Sequence, residues 1–311
     1  MTPPANRPLL VLTGTTASGK NRAGVRLAQA CEGEIISLDS MKVYRGMDLG
    51  TDKPAPADRA AVPHHLVDIL EPRESMNLRR FVDLAHESAA GIRERGRLPL
   101  VVGGTALYLN GFLRGVLEGP ESDPEFRRGL RAEASIKGVP ALHARLQGVD
   151  PESAARIHPN DYKRVERALE VFGITGKPIS ALQGQWEQAP ALDYRLYVLT
   201  WDRGVLDDRI KRRVDLMMTG GFLDEVRTIL DGSGFGQESS QALGYKEAVA
   251  HLRGEITIGE ATDLIKRRTR RFARRQLTWF RKWTDAHWIE GREGEGSDEL
   301  AARVLDDYRK D

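Results

Sequence analysis

One octapeptide constrains this chain more than any other stretch. Gly14-Thr15-Thr16-Ala17-Ser18-Gly19-Lys20-Asn21 follows the apolar run Leu9 to Thr13 and precedes a helical pattern, Lys20 to Ala30, with Ala23, Leu27 and Ala30 on one face. Strand, then G-x-x-x-x-G-K, then helix is the context of a phosphate-binding loop. The glycines let backbone N–H groups turn inward around phosphate oxygens. The helix N-terminus adds a partial positive charge and Lys20 a full one. A plain glycine-rich turn before a helix would leave the placement of Lys20 unexplained. The usual Ser or Thr after the lysine, whose hydroxyl ligates Mg²⁺, is replaced by Asn21. Diphosphate binding by Gly14 to Asn21 is therefore the firmer expectation. Asn21 is kept as a metal candidate through its carboxamide oxygen alone.

Further strands are expected at Ile35–Leu38, Pro99–Val102, Tyr194–Thr200 and His287–Ile289, with a helical stripe of Leu78, Phe81, Val82, Ala85, Ala89 and Ile92 between two of them. Strands alternating with helices imply a parallel α/β sheet. From about Asp123 to Leu182 the pattern is only helical, at Pro124–Ser135, Val139–Gln147 and Asp161–Phe172. That block reads as an insertion, residues 116–184, into a core formed by 1–115 and 185–311. Gly291 to Glu299, glycine-rich and charged, is expected to be a solvated loop. The 311 residues suit one large domain or two ordinary ones, and 40% hydrophobic with 30% charged residues is a globular composition. The longest apolar runs, Leu9–Leu12 and Leu98–Val102, fall far short of the roughly 20 residues a membrane helix needs. A single cysteine, Cys31, cannot form an internal disulfide, and no Cys/His cluster has zinc spacing. The expectation is a reduced, cytoplasmic protein with no membrane partner.

Net charge is only +2, from 47 basic and 45 acidic residues, but its distribution is uneven. Lys266 to Thr284 holds nine basic residues and no acid, interleaved with Phe272, Trp279, Phe280 and Trp283. This is either a solvated basic helix face or a phosphate-contacting helix of a nucleic-acid binder. Asp39, at the end of the second strand, has three readings: a Mg²⁺ ligand of Walker B type, a general base beside the phosphates, or a helix N-cap. His64 and His65 are expected to be structural, Cys31 to pack as a small hydrophobe, and Trp186 and Trp201 to lie in the core.

Several strings share one further property. Gly14–Lys20, Ser37 to Pro54, Pro63-His64-His65-Leu66-Val67-Asp68-Ile69 and Val102-Gly103-Gly104-Thr105-Ala106-Leu107-Tyr108 resemble, in order, the tRNA dimethylallyltransferases. So do His158-Pro159-Asn160-Asp161 with Arg164 to Glu170, Gly176-Lys177-Pro178, Gln241 to Glu247 and Arg274 to Arg281. The likeness runs from about Leu9 to Trp288.

The resemblance implies a P-loop kinase-like parallel-sheet core with an all-helical insertion that contacts tRNA. It implies transfer of a dimethylallyl group from dimethylallyl diphosphate to the exocyclic amine of the adenosine 3′ of the anticodon, with Mg²⁺ as cofactor. The partners would be the anticodon stem-loop of tRNA and the prenyl donor, and the chain would act as a monomer. Asp39 would be the base; Lys20 and Arg213 would meet the leaving diphosphate, with Thr16 and Thr105 near the substrates. Asp39, Ser40, Met41, Lys42, Thr105, Arg127, Lys163, Arg164, Val165, Glu166 and Arg167 would contact the tRNA. Lys42 and Lys163 stand where the family more often has Gln. Read without the resemblance, Arg164 and Arg167 belong to a solvated helix face. Two rivals remain at this level: an ATP-dependent small-molecule kinase, since the loop alone suggests nucleotide binding, and a non-catalytic RNA-binding protein with a degenerate loop.

Overall fold

The computed structural model describes residues 7–117, 119–183 and 192–310; Trp186 lies outside the described residues. The chain divides into two compact units, Met1–Phe112 with Leu192–Asp311, and Leu113–Ala191.

The first unit is built on a six-stranded sheet, all pairs parallel, in the order β3-β2-β4-β1-β5-β6. Its strands are β1 (Leu9–Gly14), β2 (Gly33–Leu38), β3 (His64–His65), β4 (Leu98–Gly103), β5 (Tyr194–Thr200) and β6 (His287–Glu290). Central strands of a parallel sheet are covered on both faces, so β1, β2 and β4 are mostly apolar runs rather than alternating ones; every residue of the three is buried, Thr13, Glu34 and Ser37 included. Helices α1 (Lys20–Ala30), α2 (Pro56–Ala61), α3 (Leu78–Glu94) and α4 (Ala106–Arg114) follow the early strands. The register pairs Val11 with Val101 and with Leu196, which puts the C-terminal ends of β4, β1 and β5 side by side. Ligands of open α/β sheets bind at such ends, where the strand order reverses.

The second unit is all helical: α5 (Pro124–Lys137), α6 (Val139–Val149), α7 (Pro151–Arg156), α8 (Tyr162–Thr175) and α9 (Ile179–Leu182). Leu130, Leu142, Leu146, Val165 and Leu169 form its own core. Asp150 fixes the turn before α7, accepting from the Ser153 N–H at 3.0 Å and the Ser180 hydroxyl at 2.7 Å.

The chain then completes the first unit with α10 (Arg203–Thr219), α11 (Phe222–Asp231), α12 (Tyr245–Leu252), α13 (Ile258–Phe280) and α14 (Ser297–Tyr308). One local expectation needs correction. Only 291–296 is loop, because Glu299 reaches back to accept from the Gly296 N–H at 2.9 Å and starts α14 at Ser297. Leu300, Ala301, Val304 and Tyr308 of that helix then join the core beside α1. His64–His65 forms a short strand whose His65 Nε2 lies 2.7 Å from the Glu34 carboxylate, a structural pairing. Cys31 packs against the core at the end of α1, and Trp201 is buried. No helix among the described residues is long and apolar enough to cross a membrane.

Candidate active site

The turn from β1 into α1 has the conformation a phosphate cradle needs. Gly14 has φ 152°, and a Cβ there would lie 2.5 Å from the Leu199 carbonyl oxygen, so only glycine fits. Ala17, at φ 61°, takes the left-handed region without being glycine, a strained conformation of the kind concentrated at binding loops. The Thr15 and Ser18 hydroxyls are buried with no hydrogen-bond partner. Both residues are wholly buried within the turn, and it is the neighbouring Thr16 and Lys20 that face the cavity. The loop is fastened from outside through its carbonyls. Trp201 Nε1 donates to Ser18 O at 2.9 Å, and Arg209 Nε donates to Ala17 O at 2.8 Å while its guanidinium stacks on the Trp201 ring.

Lys20, 8% exposed, donates from Nζ to Thr15 O at 3.1 Å. Burial, and next the like charge of Lys42, pull its pKa down to about 8. Arg213 on α10 donates to the Thr16 hydroxyl and, at 3.4 Å, to Gly50 O. Two cations thus converge on the loop. At the end of β2, the Asp39 carboxylate accepts from the Met41 N–H at 2.9 Å, and the Thr105 hydroxyl accepts from the Ser40 N–H at 3.2 Å. Turns rather than a helix follow Asp39, which removes the N-cap reading. Asn21 Nδ2 donates to the Asp52 carboxylate at 2.8 Å.

A cavity of about 590 Å³ joins these groups. Thr16, Lys20, Asn21, Asp39, Ser40, Met41, Thr105 and Arg213 line it, and Val214, Met217, Leu243, Ile265 and Phe272 give it an apolar wall. Arg268, Arg271 and Arg275 of α13 also line it, so the basic helix contributes its charge to the same space. Trp283 and Phe280 of the aromatic run are instead core residues.

Other expected contacts fall differently. Lys42 is 4% exposed and does not line the cavity; burial is the main cause of its lowered pKa, so it is a cation beneath the site rather than one presented to an incoming base. In the helical unit Val165 is a core residue, and Glu166 is buried and accepts from the Tyr162 hydroxyl at 2.7 Å. Arg127 and Arg167 both clamp the fully buried Glu170, Arg127 through two bonds of 2.7 and 2.8 Å and Arg167 through one of 2.7 Å. Burial pushes the Glu170 carboxyl up, but the two guanidiniums and the Asp123 N–H outweigh that and hold it below the usual range. Of this group Lys163 and Arg164 are the exposed residues.

The sequence reading missed Gln276. Its Oε1 accepts from the Thr16 N–H at 2.8 Å and its Nε2 donates to Gly104 O at 2.8 Å, tying α13 to both substrate loops. The signal was present: Gln276 sits on the buried stripe of Ile265, Thr269, Ala273 and Phe280, where a polar side chain needs a reason. Among the described residues no group of three or more His, Cys, Asp or Glu side chains is placed to hold a metal.

A parallel sheet with a phosphate loop at its switch point, two cations on that loop and a carboxylate in the same cavity define a P-loop α/β protein shaped for a phosphorylated substrate. The family model for IPP transferase matches residues 42–283, and the chain belongs to that family. A tRNA dimethylallyltransferase of Syntrophobacter fumaroxidans is 46% identical over 301 residues, which cover 96% of this chain and 87% of that protein. One from Symbiobacterium thermophilum is 49% identical over 284 residues, 91% of this chain and 89% of its own. Among solved structures, the tRNA isopentenylpyrophosphate transferase of Bacillus halodurans is 42% identical with a TM-score of 0.69, covering 98% of this chain and 99% of that one. A eukaryotic dimethylallyltransferase acting on tRNA is 26% identical with a TM-score of 0.82, covering 98% of this chain and 80% of its own.

Proposed function

We propose that this chain transfers a dimethylallyl group from dimethylallyl diphosphate to the exocyclic amine of the adenosine 3′ of the anticodon in tRNA, releasing diphosphate. The observation that carries the reading is the composition of one cavity, which is lined by phosphate-directed cations, a carboxylate and an apolar wall. A diphosphate, an amine proton and a five-carbon chain need those three surroundings. A small-molecule kinase would account for the loop but leaves the basic residues of α13 at the same cavity without a role, and a non-catalytic RNA binder has no use for Lys20 and Arg213 converging on the loop. Curated relatives that carry the transferase name support the same choice.

The chemistry follows from the residues. The adenine amine is a poor nucleophile because its lone pair is delocalised into the ring. As it attacks C1 of the donor, the N–C bond forms and the C–O bond to diphosphate breaks. Asp39 takes the amine proton. The electron pair leaves with the diphosphate, where Lys20, Arg213 and the loop N–H groups are already in place to receive negative charge. The target base must leave its stack to reach the cavity, so it is flipped. Arg271 and Arg275 offer charge to the RNA backbone at that cavity, while Arg268 is paired with the buried Glu247.

Magnesium fits this donor set. Mg²⁺ is held by one or two protein oxygens together with substrate phosphates and water. Asn21 commits its amide nitrogen to Asp52, so the Asn21 Oδ1 and the Asp52 carboxylate are the groups that would hold the ion. Bound there, it would neutralise the diphosphate. The chain would act as a monomer in the cytoplasm, where its tRNA substrate is. Incubation with Mg²⁺, labelled dimethylallyl diphosphate and unmodified tRNA tests the proposal. A five-carbon group on the adenosine 3′ of the anticodon is expected; tRNA binding without any transfer would sink it.

A further inference from the structure

Glu225, in the first turn of α11, accepts three consecutive backbone N–H groups. Those of Asp48 and Leu49 donate to Oε2 at 3.1 and 2.7 Å, and that of Gly50 to Oε1 at 3.4 Å. The hydroxyl of Tyr245, itself 1% exposed, donates to the same Oε1. Successive N–H groups folded around one anion form a nest, usually a binding device for a ligand. Here the anion is a side chain of the protein, so the nest sets the shape of the segment that carries it.

That segment belongs to the cavity: Gly50, Thr51 and Asp52 line it. Gly50 O receives Arg213, which also donates to Thr16 of the phosphate loop. Asp52, held at φ 56°, receives Asn21 at the start of α1. Gly50 also lies so close to Tyr245 that a Cβ would sit 2.3 Å from its ring, so the carboxylate, the tyrosine and the loop are fitted together. We propose that Glu225 is a positioning residue for the donor half of the site, holding residues 48–52 so that Gly50 and Asp52 set the orientation of Arg213 and Asn21 toward the diphosphate. This rests on the reading of the cavity as the diphosphate site.

Glu225→Gln leaves one oxygen for four donors and turns an N–H₂ either toward the Asp48 and Leu49 N–H groups or toward the Gly50 N–H and the Tyr245 hydroxyl. The expected result is a donor KM raised at least about tenfold, with kcat changed much less and tRNA affinity within about twofold of wild type; a nonspecific loss of fold would move all three. Glu225→Asp keeps the charge on a shorter arm, so its donor KM should fall between wild type and the glutamine variant, and it stands in if the latter does not fold. Calorimetric binding of inorganic pyrophosphate separates this inference from the transfer reaction itself. Wild type should bind it and Glu225→Gln at least about tenfold more weakly, whether or not transfer is seen. A folded variant with wild-type donor KM and pyrophosphate affinity overturns the assignment.

Discussion

Replacing Lys20 by methionine keeps the stem and removes the charge that the phosphate loop was read to provide. The ammonium is almost wholly buried and, among the described residues, bonded only to Thr15 O, so it would meet a diphosphate oxygen in a poorly solvated space. At about 4 Å and an effective dielectric of about 20, one charge pair is worth about 4 kcal/mol. A hydrogen bond to a charged group contributes about 1.5–3 kcal/mol net. A loss of about 2–4 kcal/mol in transition-state stabilisation is therefore expected, or about 30- to 700-fold in kcat/KM for the donor. Initial rates against donor concentration at saturating tRNA give this number. The same residue sets a pH signature. Its pKa in the empty protein is about 8, lowered first by burial and then by Lys42. kcat/KM reports groups of the free enzyme, so it should fall about tenfold per pH unit above that value as Lys20 loses its proton. Lys42→Met removes the neighbouring like charge and should move this alkaline limb upward. Lys20→Met should abolish the limb. A Lys20→Met enzyme within about threefold of wild type, or one that keeps the limb, would refute the reasoning.

Three further outcomes follow from the geometry. Gly14→Ala places a methyl 2.5 Å from the Leu199 carbonyl at a φ of 152°, and should lower stability in denaturant by about 1–3 kcal/mol while weakening donor binding. Glu170→Gln strips two arginines of their shared partner; because both guanidiniums stay about a third exposed, we expect a loss of about 2–4 kcal/mol by chemical denaturation at neutral pH. The carboxyl is held low in the folded state, so its contribution is full above the ordinary carboxylate range and fades as pH falls through the lowered value. Arg271→Ala and Arg275→Ala should each weaken tRNA binding and reduce the slope of log K against log salt by about 1, measured by filter binding over a salt series.

Most of the sheet was legible because its central strands are short, mainly apolar and closed by glycine or aspartate, whereas the two-residue His64–His65 strand carries no such pattern; Lys20–Ala30 and Tyr194–Thr200 match the observed bounds. The phosphate loop was legible because its chemistry is local. What escaped depends on contacts distant in sequence. Nothing near Gln276 announces that it will bond Thr16 and Gly104, and nothing near Glu225 announces three N–H donors from residues 48–50. Arg127 and Arg167 show the same limit from another side. A basic residue on a helix suggests an anion from outside, and the sequence does not announce that Glu170, three residues from Arg167 but 43 from Arg127, bonds both. Ser297–Tyr308 was obscured by the glycines before it, whose polarity masked a cap supplied by Glu299.

The central claim is that Asp39 does proton chemistry in the same cavity that binds the leaving diphosphate. Its most direct test is the single-turnover rate of Asp39→Asn with saturating donor, measured beside the affinity of that variant for unmodified tRNA. A general base typically contributes about 10²–10⁴-fold, so the rate should drop by at least about a hundredfold while tRNA affinity stays within about threefold of wild type. A single-turnover rate close to wild type, with the tRNA bound, would contradict the account.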